Sequence, residues 1–429
     1  MDERVHVIVT DDLRRSRLTV FFRLILALPQ LVWFLGWWML AGLAAILAWF
    51  SVIVAGRVPG EIHRFLTAYV RFTTHLFAYV FVAAEPWPGF LGRPGYPVDV
   101  VIPPPVRQRR LTGLFRGILA VPALLLAWSL AGPQQVAWFY VLLILYFVTN
   151  LASTTGFLAW WASLVLGRTP TGLRDLTAYS LGYLARTNAY LFLLTPAYPN
   201  SDPDLVEPHH VPEQPVSLEN QDDQRRSRLT VFFRLLLALP HFVWVALWGV
   251  AAVLAAIVNW FATLILGRSP SALHRFLVRY LRYVFHVAAF ATLVANPFPG
   301  FVGEPGRYPV DLDVRAERRQ HRLKTLFRLF LAVPAMLVAS ILHNILFIVA
   351  FLAWFAALVT GRMPSGFQHL GAAALRYNAQ LWAYLFAITD RYPHATPTVT
   401  QPPPPEVEAE PEPAPAPGPE PEPEPEPTY

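Results

Sequence analysis

The sequence RRSRLTVFFRLILALP at residues 14–29 decides the fold, because its central pattern is written four times along the chain. The pattern is Arg-Leu, three residues, Phe-Arg, five residues and Pro. A motif that recurs in units of roughly 90 residues predicts a structural module, which must be interpreted once and applied to every copy. The four copies, which begin units 1 to 4, occupy residues 17–29, 110–122, 228–240 and 322–334.

Composition separates this chain from soluble globular proteins. Of its 429 residues, 55% are hydrophobic and 14% are charged, whereas soluble domains carry about 25% charged residues. The chain has no cysteine, which excludes disulfides, thiolate nucleophiles and cysteine-ligated metals. All but one of the 34 basic residues are arginine, which is frequent under GC-rich codon usage and also binds phosphate in a bidentate manner.

Fixed spacing within each unit predicts rigid helices. The motif proline is followed by a Gly-Arg-x-Pro glycine after 27 residues in units 1, 3 and 4, and after 45 residues in unit 2. A helix of 27 residues is about 40 Å long, which is enough for one tilted membrane crossing. Glycine suits a helix C-cap, and the proline after it cannot continue the helix. We therefore expect one apolar span between these two residues in each unit.

The segment that precedes each apolar span begins with arginine. Extending the span of unit 1 back to Arg17 would make a helix too long for a bilayer. Residues 17–28 are therefore predicted to form a separate, proline-broken helix in the membrane interface. The alternative is a tight helical hairpin over residues 18–55. The arginines of these segments are the candidate head-group contacts: Arg17, Arg23, Arg110, Arg116, Arg228, Arg234, Arg322 and Arg328.

A second span is predicted after the glycine. An aromatic-Pro dipeptide closes every unit, with its proline 32 residues after the glycine. Two spans per unit give about eight crossings in all. In unit 2, the sequence Gly132 to Gln135 interrupts the apolar stretch, which predicts a re-entrant loop or an added span.

The distribution of basic residues predicts an orientation. The unit starts carry 14 arginine and lysine residues, and the Gly-Arg-x-Pro side carries seven. By the positive-inside rule, this bias predicts a multi-pass membrane protein with both termini in the cytoplasm. An even number of spans per unit also predicts parallel rather than inverted repeats.

A second level of duplication organises the chain. Residues 14–24 recur letter for letter at residues 225–235, so two units were copied as a pair. The tail is predicted to be disordered and solvated, with a role as a ligand for a protein partner as the alternative. The predicted boundaries are unit 1 at 14–106, unit 2 at 107–199, a polar linker at 200–224, unit 3 at 225–314, unit 4 at 315–395 and a Pro/Glu-rich tail at 396–429.

The predicted fold is all-α. We expect a polytopic transmembrane helical bundle of four tandem helix-hairpin units, with interfacial helices in addition. Ionisable residues inside the second spans are then the candidate functional site, because a charge within a membrane is costly. They lie at positions four residues apart and so share one helical face. This face comprises Arg71, His75, Arg186, Arg282, His286, Arg376 and Gln380.

Three interpretations of this polar face compete. In the first, the arginines bind phosphates or carbonyl groups and anchor the bundle. In the second, the four faces enclose a polar cavity for an anionic solute or lipid. In the third, His75 and His286 transfer protons, which is disfavoured because no carboxylate accompanies them within the spans.

No catalytic pattern was found in the sequence. It contains no nucleotide-binding glycine loop after a strand, no Gly-x-Ser-x-Gly elbow and no His-Glu-x-x-His motif. His209-His210 in the linker is expected to be solvated. We therefore expect no enzyme activity, no catalytic residue, no metal site and no cofactor. The expected partners are membrane lipids, above all anionic ones, and not nucleic acid.

The whole pattern resembles a bacterial family catalogued as domain of unknown function 4389. The resemblance rests on the lead motif, Trp-Phe, Gly-Arg-x-Pro, Arg-Tyr and aromatic-Pro, and it covers most of residues 14–393. It implies an integral membrane protein without an assigned activity. The insertion in unit 2 and the acidic tail depart from it. We expect a non-catalytic membrane scaffold or lipid-interacting module, with a transporter or channel for a small anionic solute as the alternative.

Overall fold

The structure, a computed structural model, describes residues 4–132, 150–203, 214–315 and 319–397. This part of the chain is mostly helical, as predicted, and also contains two small antiparallel sheets that were not predicted. Three predictions lie largely or wholly outside the described residues: the interruption in unit 2, the pair His209-His210 and the Pro/Glu-rich tail.

Units 1, 3 and 4 contain a long apolar outer helix, and the described part of unit 2 contains two shorter apolar helices in its place. Every unit contains a Gly-Arg-x-Pro turn and a 21-residue inner helix. The glycine adopts the left-handed conformation at the C-cap, with φ of 69–71° in all four copies, as predicted. The outer helices are α1 (Arg17–Ala55), α5 (Val121–Ala131) with α6 (Leu151–Leu166), α9 (Arg234–Leu266) and α12 (Arg328–Thr360). The inner helices are α2 (Gly60–Val80), α7 (Thr171–Leu191), α10 (Ser271–Ala291) and α13 (Ser365–Leu385).

The prediction of a proline-broken interfacial helix was wrong. Pro29, Pro240 and Pro334 lie inside outer helices, and α1 is continuous, which also excludes the hairpin over residues 18–55. Proline removes one backbone hydrogen bond, but its φ is helical, so it need not end an apolar helix. In units 2 to 4 the helix is interrupted before the proline, at the phenylalanine of Phe-Arg. The short helices in this region are α3 (Arg110–Leu114), α4 (Arg116–Leu119), α8 (Arg228–Phe232) and α11 (Arg322–Leu326).

Two β-ribbons flank the inner helices. Strand β1 (His6–Val9) pairs with β2 (Val98–Val101), and β3 (Val216–Asn220) pairs with β4 (Val310–Val314), both antiparallel. The strand β3 lies within residues 200–224, so the predicted polar linker contains regular structure. Alternate residues of a strand face opposite sides. The ribbons accordingly bury one side against the helices, and the other side is partly or fully exposed except at Asp99, which is buried.

In units 1 and 3 the chain makes a third pass, along the inner helix, after its two helical passes. After the inner helix of unit 1, the chain returns along that helix, so that Asp99 and Val100 contact His75 and Arg71. It then reaches the start of the helix, where the N–H of Gln108 donates to the carbonyl of Gly56 at 2.8 Å. We call residues 81–108 and their counterparts the return segments. An odd number of passes makes the next unit run in the opposite direction.

The two units of each pair are therefore inverted relative to one another. The indole N–H seven residues before each Gly-Arg-x-Pro glycine donates to a backbone carbonyl at the start of the partner unit. These bonds are reciprocal within each pair, and they join Trp49 to Gly113 (3.1 Å), Trp160 to Val20 (2.7 Å), Trp260 to Thr325 (2.7 Å) and Trp354 to Val231 (3.0 Å). The prediction of parallel repeats was wrong, because it assumed two passes per unit.

Outer and inner helices differ in what they expose. The inner helices α7 and α13 are almost wholly buried, whereas α1 and α9 expose large apolar side chains along their whole length. Within the described residues, three helices are long and apolar enough to cross a membrane: Arg17–Ala55, Arg234–Leu266 and Arg328–Thr360.

Gly92 tests how closely the return segment packs on its inner helix. Its φ is +57°, and a Cβ there would lie 2.1 Å from the carbonyl oxygen of Ala68. We expect Gly92→Ala to lower the free energy of unfolding by about 2–4 kcal/mol, because both the strain and the overlap must be relieved. Gly89→Ala, which meets nothing within 4 Å, should stay within about 0.5 kcal/mol of the wild type. Equal thermal melting of the two variants would contradict this packing.

Candidate functional site

The second arginine of the lead motif binds the end of the inner helix in its own unit. In unit 1 the Arg23 guanidinium is fully buried and donates to the carbonyls of Tyr79 (2.6 Å) and Ala84 (2.9 Å) and to Glu85 (2.8 Å). It also lies over the Tyr79 ring, 4.5 Å from the centroid. The same ring contact occurs in the other units, for Arg116 with Tyr190, Arg234 with Phe290 and Arg328 with Tyr384.

These arginines hold a strained turn. Each inner helix ends with a non-glycine residue in the left-handed conformation, which costs about 1–2 kcal/mol. In unit 1 this residue is Val82 (φ 59°), whose N–H bonds to Tyr79 O while the N–H of Ala83 bonds to Ala78 O. This pattern is a Schellman motif. The equivalent residues are Leu193, Leu293 and Ala387.

A second side chain, eight residues before the motif arginine, binds the carbonyl of the same left-handed residue. Arg15 contacts Val82 O at 3.2 Å and pairs with Asp11 at 2.7 Å. Arg226 contacts Leu293 O at 2.9 Å and pairs with Asp222 at 2.6 Å. Glutamine replaces arginine in units 2 and 4, where Gln108 binds Leu193 O and Gln320 binds Ala387 O.

The prediction of head-group contacts has a different outcome for the first and the second arginine of each lead motif. Arg23, Arg116, Arg234 and Arg328 are at most 1% exposed, so their prediction as head-group contacts was wrong. Burial is stable because helix-terminal carbonyls, each with lone pairs to satisfy, accept their N–H groups. The first motif arginines are exposed, and their head-group role stays a prediction: Arg17, Arg110, Arg228 and Arg322.

The predicted polar face binds the return segment. In unit 1, His75 Nε2 lies 2.8 Å from Asp99 Oδ1, and Arg71 Nε donates to Val100 O at 2.8 Å. The ring of Tyr96 stacks on His75 with centroids 4.6 Å apart. Burial alone would raise the pKa of Asp99. The bonds from His75 and from the N–H groups of Gly95 and Val100 outweigh that effect and hold the pKa below its ordinary value.

Unit 3 repeats this cluster. His286 Nε2 lies 2.9 Å from Asp311 Oδ1, and Arg282 Nε lies 3.0 Å from the same oxygen. Arg282 also donates to Leu312 O at 2.9 Å, and Tyr308 stacks on His286. The positively charged face is thus neutralised by a carboxylate from β4. Burial again opposes the low pKa of Asp311, and the bond from His286 leads the groups that lower it.

In units 2 and 4 the same face binds backbone groups of neighbouring segments. Arg186 donates to Asn200 O at 3.2 Å, and Arg376 donates to Thr396 O. Gln380 accepts from the N–H of His394 at 3.0 Å and donates to Val216 O at 3.0 Å. Burial, followed by repulsion from Arg376, lowers the pKa of His394 to about 4, so this ring is neutral at pH 7.

All seven polar-face residues therefore contact backbone or side chains of the return segments or the ribbons, and the structure does not bring the four arginines together around one cavity. Sequence reasoning missed Asp99 and Asp311, which lie outside the helices. A signal existed, because Tyr96-Pro-Val-Asp99 recurs as residues 308–311. Among the described residues, no group of three or more histidines and carboxylates could hold a metal ion.

Arg23 and Arg17 form a matched pair on one helix. We expect Arg23→Ala to lower the free energy of unfolding by about 3–5 kcal/mol, because Glu85 and two helix-end carbonyls lose a buried partner. The exposed Arg17→Ala should change it by less than about 0.5 kcal/mol. Denaturant or thermal unfolding of the purified chain measures both, and a stable Arg23→Ala protein would refute the role of this arginine.

Comparison with known proteins gives one match. A family model described as Domain of unknown function (DUF4389) matches residues 17–91, 134–201, 228–302 and 322–396. No curated protein and no solved structure matches the chain. The matched segments contain the Gly-Arg-x-Pro turn and inner helix of every unit and together cover more than half of the sequence, so this chain belongs to the DUF4389 family and carries four tandem copies of its domain.

Proposed function

We propose that this chain is a non-catalytic integral membrane module of a bacterial inner membrane, in which apolar outer helices contact lipid hydrocarbon and exposed arginines contact anionic head groups. The observation that carries the proposal is the surface of α1 and α9. Soluble monomers rarely expose contiguous apolar patches larger than a few hundred Å². Here exposed apolar side chains continue from Leu18 to Val54 and from Leu229 to Leu266, a surface that lipid would cover.

The ribbons carry charged rather than apolar surface. The outer side of the ribbon formed by β3 and β4 carries Glu219 and Asp313, and Arg315 follows β4. The side chains of Asp313 and Arg315 are more than half exposed. Charged side chains are excluded from the centre of a bilayer at a cost of several kcal/mol. Under this proposal the ribbons face water or head groups, and the outer helices face hydrocarbon.

The exposed first arginines supply the proposed head-group contacts. Arg17 donates one N–H to Val165 O at 3.0 Å, and Arg228 donates one to Val359 O at 2.9 Å. These carbonyls belong to the last turn of the partner unit's outer helix, so both arginines lie at an end of the apolar surface. A guanidinium has five donors and can bind a phosphate while it keeps this one bond.

The eight crossings and the cytoplasmic termini are finer parts of the proposal. An inner helix of 21 residues is about 31 Å long, close to the hydrocarbon thickness of a bilayer. Such helices could cross only inside a shell of outer helices, because their polar faces hold the return segments. The arginine bias is weaker evidence for the orientation, because unit starts and Gly-Arg-x-Pro turns lie side by side. Arg14 forms an antiparallel β-bridge with Arg168, and Arg225 forms one with Arg362.

Transport of an anionic solute is the second candidate, and the geometry favours it less. It needs arginines with donors directed into a shared cavity. Arg71, Arg282 and Arg376 instead bind carbonyls of return segments and ribbons. Their polar bonds hold the fold together, which supports the scaffold over the carrier.

Cysteine labelling tests the proposed orientation without background, since the natural chain has no cysteine. In membranes we expect Asp313→Cys to react with a water-soluble maleimide, and Leu247→Cys, on the exposed apolar face of α9, to react only after detergent is added. Both positions are exposed in the protein alone, so the difference reports lipid. Rapid labelling of both in intact membranes would refute burial of α9 in hydrocarbon.

Uptake by proteoliposomes tests the choice between scaffold and carrier. We expect the purified chain to admit small anions no faster than empty liposomes do, because the arginines are bound within the protein. The paired variant Arg71→Ala with Arg282→Ala is the comparison. Uptake by the wild type that this variant abolishes would favour transport over the scaffold.

A further inference from the structure

Units 1 and 3 differ in charge around their motif arginines. In unit 1, Arg15 and Arg23 are balanced by Asp11 and Glu85. In unit 3, Arg226 pairs with Asp222, but the counterpart of Glu85 is the neutral Asn296. Its Oδ1 accepts from the guanidinium of Arg234 at 3.1 Å. Within the described residues, this cluster therefore keeps one positive charge without a carboxylate.

Arg234 is almost wholly buried, yet one of its donors is unused. Its two Nη atoms donate to the carbonyls of Phe290 and Ala295 and to Asn296, while Nε is buried without a hydrogen-bond partner among the described residues. A buried cation is costly unless it is paired and its N–H groups are satisfied. The Nε groups of Arg23 and Arg116 are likewise buried without a hydrogen-bond partner among the described residues, so it is the missing carboxylate that distinguishes Arg234 from Arg23. In the described part of unit 2, Arg116 also lacks a carboxylate, but of these two arginines only Arg234 lines the cavity described next.

A cavity of about 620 Å³ lies between units 3 and 4 and is lined by Arg234. The remaining lining is mostly apolar and includes Phe285, Ala288 and Leu346. Its rim contains Phe242 and Phe351, which are also exposed on the outer helices. The cavity therefore opens on the surface that the proposed function assigns to lipid, and its size is typical of ligand sites.

The shape of the cavity suits an amphiphile. Arg234 and Trp354 mark one end, near the start of α9 and the end of α12, and His343 lies eleven residues before Trp354 on α12. At the helical rise per residue, the cavity follows about 16 Å of α12. A cationic group at one end and an apolar channel beyond it match an anionic head followed by a hydrocarbon chain.

We propose that this cavity binds one single-chain carboxylate amphiphile, a free fatty acid, with its carboxylate beside Arg234 and its chain along α12. This inference rests on the proposed membrane location for access to the ligand. The carboxylate would supply in unit 3 the charge that Glu85 supplies in unit 1. A carboxylate head suits this position because carboxylates form the strongest hydrogen bonds with guanidinium groups.

The test measures palmitate and its neutral counterpart hexadecanol bound to the purified full chain by native mass spectrometry. Asn296→Glu copies unit 1 and should weaken palmitate binding about tenfold to hundredfold, the worth of a charged hydrogen bond, without changing hexadecanol. Asn296→Gln, of the same size but neutral, should leave both unchanged. Ala350→Phe, which fills the cavity, should remove both ligands.

Four outcomes would overturn the proposal. The first is equal binding of palmitate and hexadecanol by the wild type, and the second is palmitate binding that Asn296→Glu leaves intact. The third is ligand binding that survives in a folded Ala350→Phe variant, and the fourth is equal competition by phosphatidylglycerol, which would assign the cavity to bilayer phospholipid. If Ala350→Phe does not fold, the Asn296 variants decide the question alone. The assay uses purified protein, so it can fail while the cysteine labelling still supports a membrane location.

Discussion

The fold depends on the contact between a buried guanidinium and the carbonyls at the left-handed end of an inner helix. A helix leaves its last four carbonyls without intrahelical partners, and a buried end must find donors for them. Arg23 and its counterparts supply these donors and also pack on the aromatic residue of the last turn. The carbonyl that accepts in units 1, 3 and 4 lies 56 residues after the arginine. This constraint gives a physical reason for the constant spacing between the lead motif and the end of the inner helix in units 1, 3 and 4.

The third pass explains the rest of the architecture. Once the inner helix has turned at Val82 or its counterparts, the return segment lies along the polar face of that helix. The arginine and histidine residues there bind its carbonyls and, in units 1 and 3, its aspartate. Extended chain next to lipid would leave unsatisfied backbone groups, so such a pass is stable only where protein covers it. The polar face is thus a requirement of the topology, which is a sufficient reason for charges in otherwise apolar helices.

The parts of the fold that depend on local rules could be predicted from the sequence. Gly56 ends α1 in the conformation that glycine favours, and the apolar stretch before it forms a helix. The parts that depend on distant partners could not. From the sequence alone, Arg23 resembles an interfacial residue, because its partners Tyr79 and Ala84 are distant along the chain. The strands are only four or five residues long, which is the lower limit for a periodic signal. Counting two passes per unit then led to the wrong relation between neighbouring units.

The reciprocal indole bonds have a consequence for how such proteins arise. Trp49 satisfies a carbonyl of unit 2, while Trp160 satisfies one of unit 1, so neither half of the pair is complete by itself. A relative with a single unit would have to assemble as a two-fold symmetric homodimer to make the same bonds. Gene fusion of such a dimer would yield one inverted pair, and a further tandem duplication would yield the present chain. The two units of each pair are therefore arranged within one polypeptide as the two subunits of such a dimer would be.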